Sequence, residues 1–535
     1  ISIKTLTIKY NLTLSSLVVL MLFCSCSSVS DVDTNNVFRY NEHKNINSLD
    51  PIYAKDIANI WAVNQIFEGL VEMDSAMNIT PSIAKKWSIS DDGKLYSFLI
   101  DNSVKFHPHH KIKNRKVTAH DFEYSFNRLI NPKIAAPGAW VLDKVESFSA
   151  VNDSIFEIKL KDPFNAFLGI LTMKYCSVVP KDVVEFYGEK FRSNPIGTGP
   201  FKFKRWEENI KLVLRKNTEY HKMNKNGEKL PFLEAVSISF LPEKQSEFLQ
   251  LIKGKIDFIS GLDNSYKDEV INYKGELKEE YKSSIEMMRC PFLNTEYLAF
   301  FMDSNNKTIQ SELIRKAINI GFDKEKMIKY LRNGIGIVAN GGFIPYGLPG
   351  YSRNKNNEYD MSKAKKLVNE YKKKYNESPS IKLTTSSNYL IYCEFLQKEL
   401  EKIGIKIIID VIPGSALKQA KANGKLNFFR ASWIADYPDA ENYLSLFYSK
   451  NFAPNGPNYT HFFDQNYDKL YEQSLKENDQ TNKEFLYKKM DSIVISNSVI
   501  VPLFYDEVVR FVSKDVKGMK INPTNLLDLR SVRKN

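Results

Sequence analysis

A chain of 535 residues can bury several cores, and 43% apolar with 26% charged content describes an ordinary folded protein and excludes a disordered one. The formal charge of +12 is spread over lysines scattered among acids, as in residues 363–374, which is the pattern of solvated helix faces. No nucleic-acid motif accompanies it, so nucleic acid is set aside as a partner, and the charge reads as surface solubility with weak attraction to lipid headgroups.

Lys4 and Lys9 precede an apolar stretch over 12–23, uninterrupted from Leu17 to Cys24. That core is too short to span a bilayer comfortably and has the charge-then-apolar order of a secretory signal. Leu22-Phe23-Cys24-Ser25-Cys26-Ser27-Ser28 resembles a relaxed bacterial lipobox, with small Ser25 before Cys26. Residues 1–26 are therefore expected to be a lipoprotein signal peptide with Cys26 as the lipidation site, and 27–36 a polar tether. Two acyl chains on Cys26 would suffice for stable anchoring. Asp31-x-Asp33-x-Asn35 with Glu42 at the twelfth position mimics a calcium loop, but Asn36 stands where that loop needs Gly. No metal is expected there. Cys176, Cys290 and Cys393 are odd in number and far apart, so they read as buried free thiols.

Residues 38–42 open the folded part as a strand, followed by the turn Ser48-Leu49-Asp50-Pro51. A helix is expected over 54–70, where Ile60, Val63, Asn64, Phe67 and Leu70 share one face. Asp92-Gly93 between two apolar runs signals a hairpin, and Thr118-x-x-Asp121 starts a helix that Asn131-Pro132 stops. His107-Pro108-His109-His110 reads as solvated loop histidines. Gly197-Thr198-Gly199 allows a tight entry into a sheet section in which 201–206 pairs with 210–215. It lacks the further Gly, Lys and Ser/Thr of a nucleotide loop. Strand, helix and strand follow at 235–241, 243–253 and 256–260. Residues 311–331 form an amphipathic helix with Leu313, Ile314, Ala317, Ile318 and Ile320 inward.

The clearest section alternates strand 380–385, helix 388–403, strand 405–412, helix 415–422 and strand 426–434. That alternation implies parallel pairing with right-handed crossovers, hence an α/β fold. The last strand runs through Arg430-Ala431-Ser432-Trp433-Ile434-Ala435-Asp436-Tyr437 and breaks at Pro438-Asp439. A cation, an indole and a carboxylate thus sit within seven residues at a strand's carboxyl end, where α/β sheets bind ligands. On pattern alone, Asp436 reads equally well as the cap of the next helix and Trp433 as core filling.

This segment resembles the peptide-contacting segment of the oligopeptide- and dipeptide-binding proteins, the family 5 extracellular solute-binding proteins of ABC importers. So does the block comprising Trp87, Asp92-Gly93, Phe106-His107 and Thr118-Ala119-x-Asp121-Phe122. The resemblance implies a periplasmic-binding-protein-like α/β fold of class II, with three domains forming two lobes that close around the ligand. Domain I would comprise 37–79, 195–270 and 491–535, domain II 80–194 and domain III 271–490. It implies a monomeric, lipid-anchored receptor of the cell envelope, facing the periplasm or cell exterior, that delivers peptides to the permease subunits. No cofactor, metal or catalytic residue is implied. Residue by residue, Asp436 would pair with the ligand's α-ammonium group, Trp433 would wall the first side-chain pocket beside Ala435, and Arg430 would meet a carboxylate. The backbone at Ile57 would lie along the peptide, and Tyr505 matches a position near the pocket.

The same family carries sugars, metal chelates and haem, so another solute stays open. From other classes, an envelope peptidase or glycan hydrolase stays open, as does a surface scaffold. No Gly-x-Ser-x-Gly, His-Glu-x-x-His or Walker loop points to an enzyme.

Overall fold

The computed structural model describes residues 36–535 apart from 114, 263–265 and 354–357. The expected signal peptide, Cys26 and Asp31 to Asn35 of the calcium-loop mimic lie outside the described residues. No helix among the described residues is long and apolar enough to cross a membrane.

The strands in the first half are β1 (Val37–Asn41), β2 (Val71–Met73), β3 (Ile79–Pro81), β4 (Ala84–Ile89), β5 (Leu95–Ile100), β6 (Val145–Asn152), β7 (Ile155–Leu160), β8 (Phe201–Glu207), β9 (Lys211–Lys216), β10 (Ala235–Ser239) and β11 (Phe258–Ser260). In the second half come β12 (Ile285–Phe300), β13 (Ile337–Val338), β14 (Ser380–Thr385), β15 (Lys406–Val411), β16 (Phe428–Ile434), β17 (Ile500–Ser513), β18 (Val516–Lys517) and β19 (Arg533–Lys534). Among the described residues the largest sheet has the order β15-β14-β16-β12-β17-β11-β1-β10-β9-β8, with β13 added to β17.

Two long strands tie this sheet together. The segment 285–291 of β12 pairs with 507–513 of β17, the ladder slips between Pro291 and Thr295, and pairing resumes with 500–505 of β17. On one side of the slip β16 lies against β12, with Ile434 opposite Asn294. On the other side β11 lies against β17, with Ser260 opposite Arg510, and β1 runs parallel to β11. The carboxyl ends of β16 and of β1 and β11 therefore converge on the slip from opposite directions. This is the geometry in which two half-sheets present their ligand-binding ends to each other.

The predicted alternation over 380–434 is present: β14 is parallel to both β15 and β16. Its helices are Leu390–Glu401 and Gly414–Ala422, and Gly404, at φ +85°, supplies the left-handed turn that leads the first into β15. The hairpin at Asp92-Gly93 joins β4 to β5 in a second sheet, β4-β5-β7-β6. Helix Ala119–Leu129 begins in a capping box of Thr118 and Asp121, and its Phe122 and Phe126 pack on Phe156.

Other expectations change. The helix expected over 54–70 is confined to Ile57–Ile66, because the Asp56 side chain accepts the Asn59 N–H at 3.1 Å as N-cap and the chain turns extended at Phe67. The single helix expected over 311–331 is two, Glu312–Ile320 and Lys324–Leu331, since Asp323 caps the second after Gly321. Leu313 is only half-buried. His107 is not solvated: it is 1% exposed and its Nε2 lies 2.9 Å from the Gly199 carbonyl. Burial pulls its pKa down to about 4. Cys176 and Cys393 are buried free thiols, whereas Cys290 is half-buried.

Separate apolar cores fill the two halves. One is built from residues 38–258 and 512–532, and others from residues between 293 and 504. Some side chains cross between them, Tyr437 among them. It follows Asp436 in the second half yet is buried in the core of the first, so the halves touch beside the convergent strand ends.

Candidate ligand-binding cleft

A cavity of about 650 Å³ opens where the strand ends converge. One wall comes from the first half of the chain and includes Glu42, Asp56, Ile57, Trp61 and Tyr175. The other holds Phe292 and the continuous run Ile434-Ala435-Asp436. A smaller cavity of about 300 Å³ shares Ser260, Phe292 and Asn525 with it, so the space continues past the slip in β12. The larger opening of about 1100 Å³ shares Lys55 and Asp56 but is lined wholly by residues 47–192. It touches only one half, so the 650 Å³ space is the one placed to hold a ligand between two walls.

Asp436 stands two residues beyond the end of β16. Its N–H donates to Asn442 Oδ1 at 3.1 Å, and Trp433 Nε1 donates to the same oxygen at 2.8 Å. Asn442 thus clamps both ends of the turn. The Asp436 side chain is exposed to the cavity, but the surrounding walls strip enough water from it to raise its pKa, with Asn442 opposing. None of the salt bridges within the described residues involves Asp436. Ile57, at 41% exposed, is an apolar side chain left uncovered at the same cavity.

The remaining predicted residues stand elsewhere. Arg430 is 8% exposed, forms a buried ion pair with Glu296 and lies over the Tyr389 ring, 3.0 Å from its centroid. Tyr505 is buried, and its hydroxyl donates to the Gly342 carbonyl at 2.9 Å. Trp433 is held by Asn442 and packs against the second-half core. The cavity lining therefore brings together Asp436, Ala435 and Ile57, and leaves Arg430, Trp433 and Tyr505 behind it.

Several lining residues went unread in the sequence. Glu42 lies one residue past the end of β1, and burial, reinforced by Glu247 and Asp56, pushes its pKa up to about 8. Tyr175 is pushed up to about 12, chiefly by burial and then by Asp436 and Asp56. Lys174 also lines the cavity, and burial pulls it down to about 8. The signal that singled out Asp436, a charge just beyond a buried parallel strand, was equally available for Glu42.

Comparison with known proteins gives a consistent family. A profile of the bacterial extracellular solute-binding proteins, family 5 middle region, matches residues 78–455. The chain is 24% identical over 489 residues to a glutathione-binding protein, GsiB, of Escherichia coli O1:K1, covering 90% of this chain and 91% of the relative. It is 24% identical over 534 residues to a dipeptide-binding protein, DppE, of Bacillus subtilis, covering 93% and 92%. Among solved structures, the ABC transporter-associated periplasmic binding protein DppA from Helicobacter pylori, in complex with the peptide STSA, superposes at a TM-score of 0.76. It has 25% identity over 93% of this chain and 98% of that one.

Proposed function

The chain belongs to the family 5 bacterial extracellular solute-binding proteins, and on that premise we propose that it is the receptor of an ABC importer that captures peptides between two lobes. The observation that carries this reading is the Asp436 carboxylate, which takes part in no salt bridge among the described residues and lines a cavity between the walls of both halves. A free peptide's ammonium group loses water on entering such a space, so it needs a fixed counter-charge. Asp436 supplies it on a turn that Asn442 holds still. The peptide's main chain lies along the segment at Ile57, and recognition through backbone groups tolerates varied side chains. A volume of about 650 Å³, continuing into the smaller cavity, suits a short peptide. The peptide-bound Helicobacter pylori protein and the dipeptide-binding Bacillus subtilis protein support that ligand class.

In the same reading, 37–79, 195–270 and 491–535 form domain I, 80–194 domain II and 271–490 domain III, with the ligand between I and III. The protein works as a monomer at the cell envelope, anchored through lipid on Cys26, and passes its cargo to permease subunits without breaking a bond. Native mass spectrometry of the purified protein tests the central claim. A stoichiometric complex with intact peptide is expected; steady hydrolysis of added peptide, or a retained sugar or metal chelate, overturns it.

A further inference from the structure

Glu42 and Asp436 line the same cavity from the chain's two halves, and each stands just beyond the carboxyl end of a strand of one sheet. Glu42 is 7% exposed, and its Oε1 has no hydrogen-bond partner. A carboxyl oxygen buried without a partner costs free energy, and native structures leave one so where a ligand or catalytic role repays it. Its neighbour Glu247 is engaged by the Asn41 amide at 2.7 Å, which leaves Glu42 as the open end of that pair. Around it stand Asp56 from the cap of helix Ile57–Ile66, Lys244 and Glu247 from helix Gln245–Ile252 and its cap, and Tyr40, His43 and Lys44 from its own segment. Two lysines against three acids leave the corner negative when Glu42 is ionised. Among the described residues no group of acids or histidines is arranged to hold a metal ion.

We propose that Glu42 is a second cation-binding point in the cleft, so that the preferred ligand is a peptide carrying a basic side chain, lysine or arginine, in addition to its free α-ammonium group. This rests on the peptide-receptor reading. Asp436 takes the terminal ammonium and Glu42 the side-chain cation, one charge from each wall. In the empty cleft the Glu42 carboxyl is held largely as the neutral acid near neutrality, by burial first and then by Glu247 and Asp56. A ligand cation reverses that balance, and the carboxyl gives its proton to solvent.

The test is calorimetric titration of the purified protein with alanine tetrapeptides carrying lysine, or its neutral isostere norleucine, at each position in turn. Buffers of low and high ionisation enthalpy report proton release. At one position lysine is expected to bind roughly tenfold or more tighter than norleucine, with release of up to one proton. Glu42→Gln should abolish both the preference and the release. Equal binding of lysine and norleucine peptides to the unaltered protein, or a preference that survives Glu42→Gln, overturns the proposal and leaves the receptor reading standing. If no peptide binds, the receptor reading falls first and takes this one with it. Should the variant fail to fold, proton release by the unaltered protein still decides: release with the lysine peptide beyond that with its norleucine counterpart is expected, and equal release overturns the proposal.

Discussion

Arg430 and Asp436 belong to one segment of chain, six positions apart, yet they live in opposite electrostatic circumstances. Arg430 sits within β16, is buried, and is bound to Glu296 and to the face of Tyr389. Asp436 lies past the end of the strand, and no other charge in the described residues claims it. The strand interior must settle every charge it contains, because the sheet leaves no water to do so. The turn beyond it can keep one charge in reserve for a molecule that arrives later. In this segment the charge inside the strand is committed to the fold, and the charge past its end is the one that lines the cavity.

That contrast can be broken by substitution. Arg430→Ala strands the Glu296 carboxylate in the core, and denaturant unfolding should show a loss of roughly 3–5 kcal/mol. If stability is unchanged, Arg430 is not committed to the fold and returns as a candidate ligand contact. Asp436→Ala should do the reverse. Calorimetry on a well-bound peptide should show a loss of roughly 2–5 kcal/mol of affinity, with the unfolding midpoint unmoved. Equal affinity for the variant and the parent removes Asp436 from the site.

The cleft acids give a subtler test through pH. Folding raises the Glu42 carboxyl from its ordinary value near 4.5 to about 8, so the folded chain binds the extra proton. The stability this proton contributes is complete below the unfolded value and is lost as pH rises through the folded one. Glu42→Gln removes the titration, so its stability relative to the parent should grow by on the order of 2 kcal/mol between mildly acidic and mildly alkaline buffer. Thermal melts across that range check it, and parallel curves would show that Glu42 is not protonated in the fold. Smallest of all, Ile57→Ala should cost under about 1 kcal/mol of peptide affinity, because its backbone and not its side chain is asked to meet the ligand. A loss as large as that of Asp436→Ala would make the segment a side-chain pocket.

Much of the fold could be read from local pattern. The alternation over 380–434, the Asp92-Gly93 hairpin and the Thr118–Asp121 capping box all appear where spacing and turn chemistry put them. Where two helices abut, apolar spacing alone carried the reading of 311–331 straight across the Asp323 cap. The fate of Arg430 was not legible, because its partner Glu296 lies 134 residues away and only the pairing of β12 with β16 brings them together. The place of Asp436 beyond β16 was legible because a strand end is a local event. Glu42 satisfies the same rule, one residue past the end of β1.

Among the described residues of the large sheet, β12 and β17 carry the pairing from one half to the other, and their ladder slips at the crossing. If the halves close on a ligand as proposed, a two-stranded bridge with an interruption is where their rotation would collect, because hydrogen bonds are already missing there. Phe292 lies in that interruption and lines both cavities, so a ligand filling the space would press on the bridge itself. On the proposed reading, occupancy would be translated into the relative angle of the two halves, a quantity that a permease partner could sense without ever meeting the cargo.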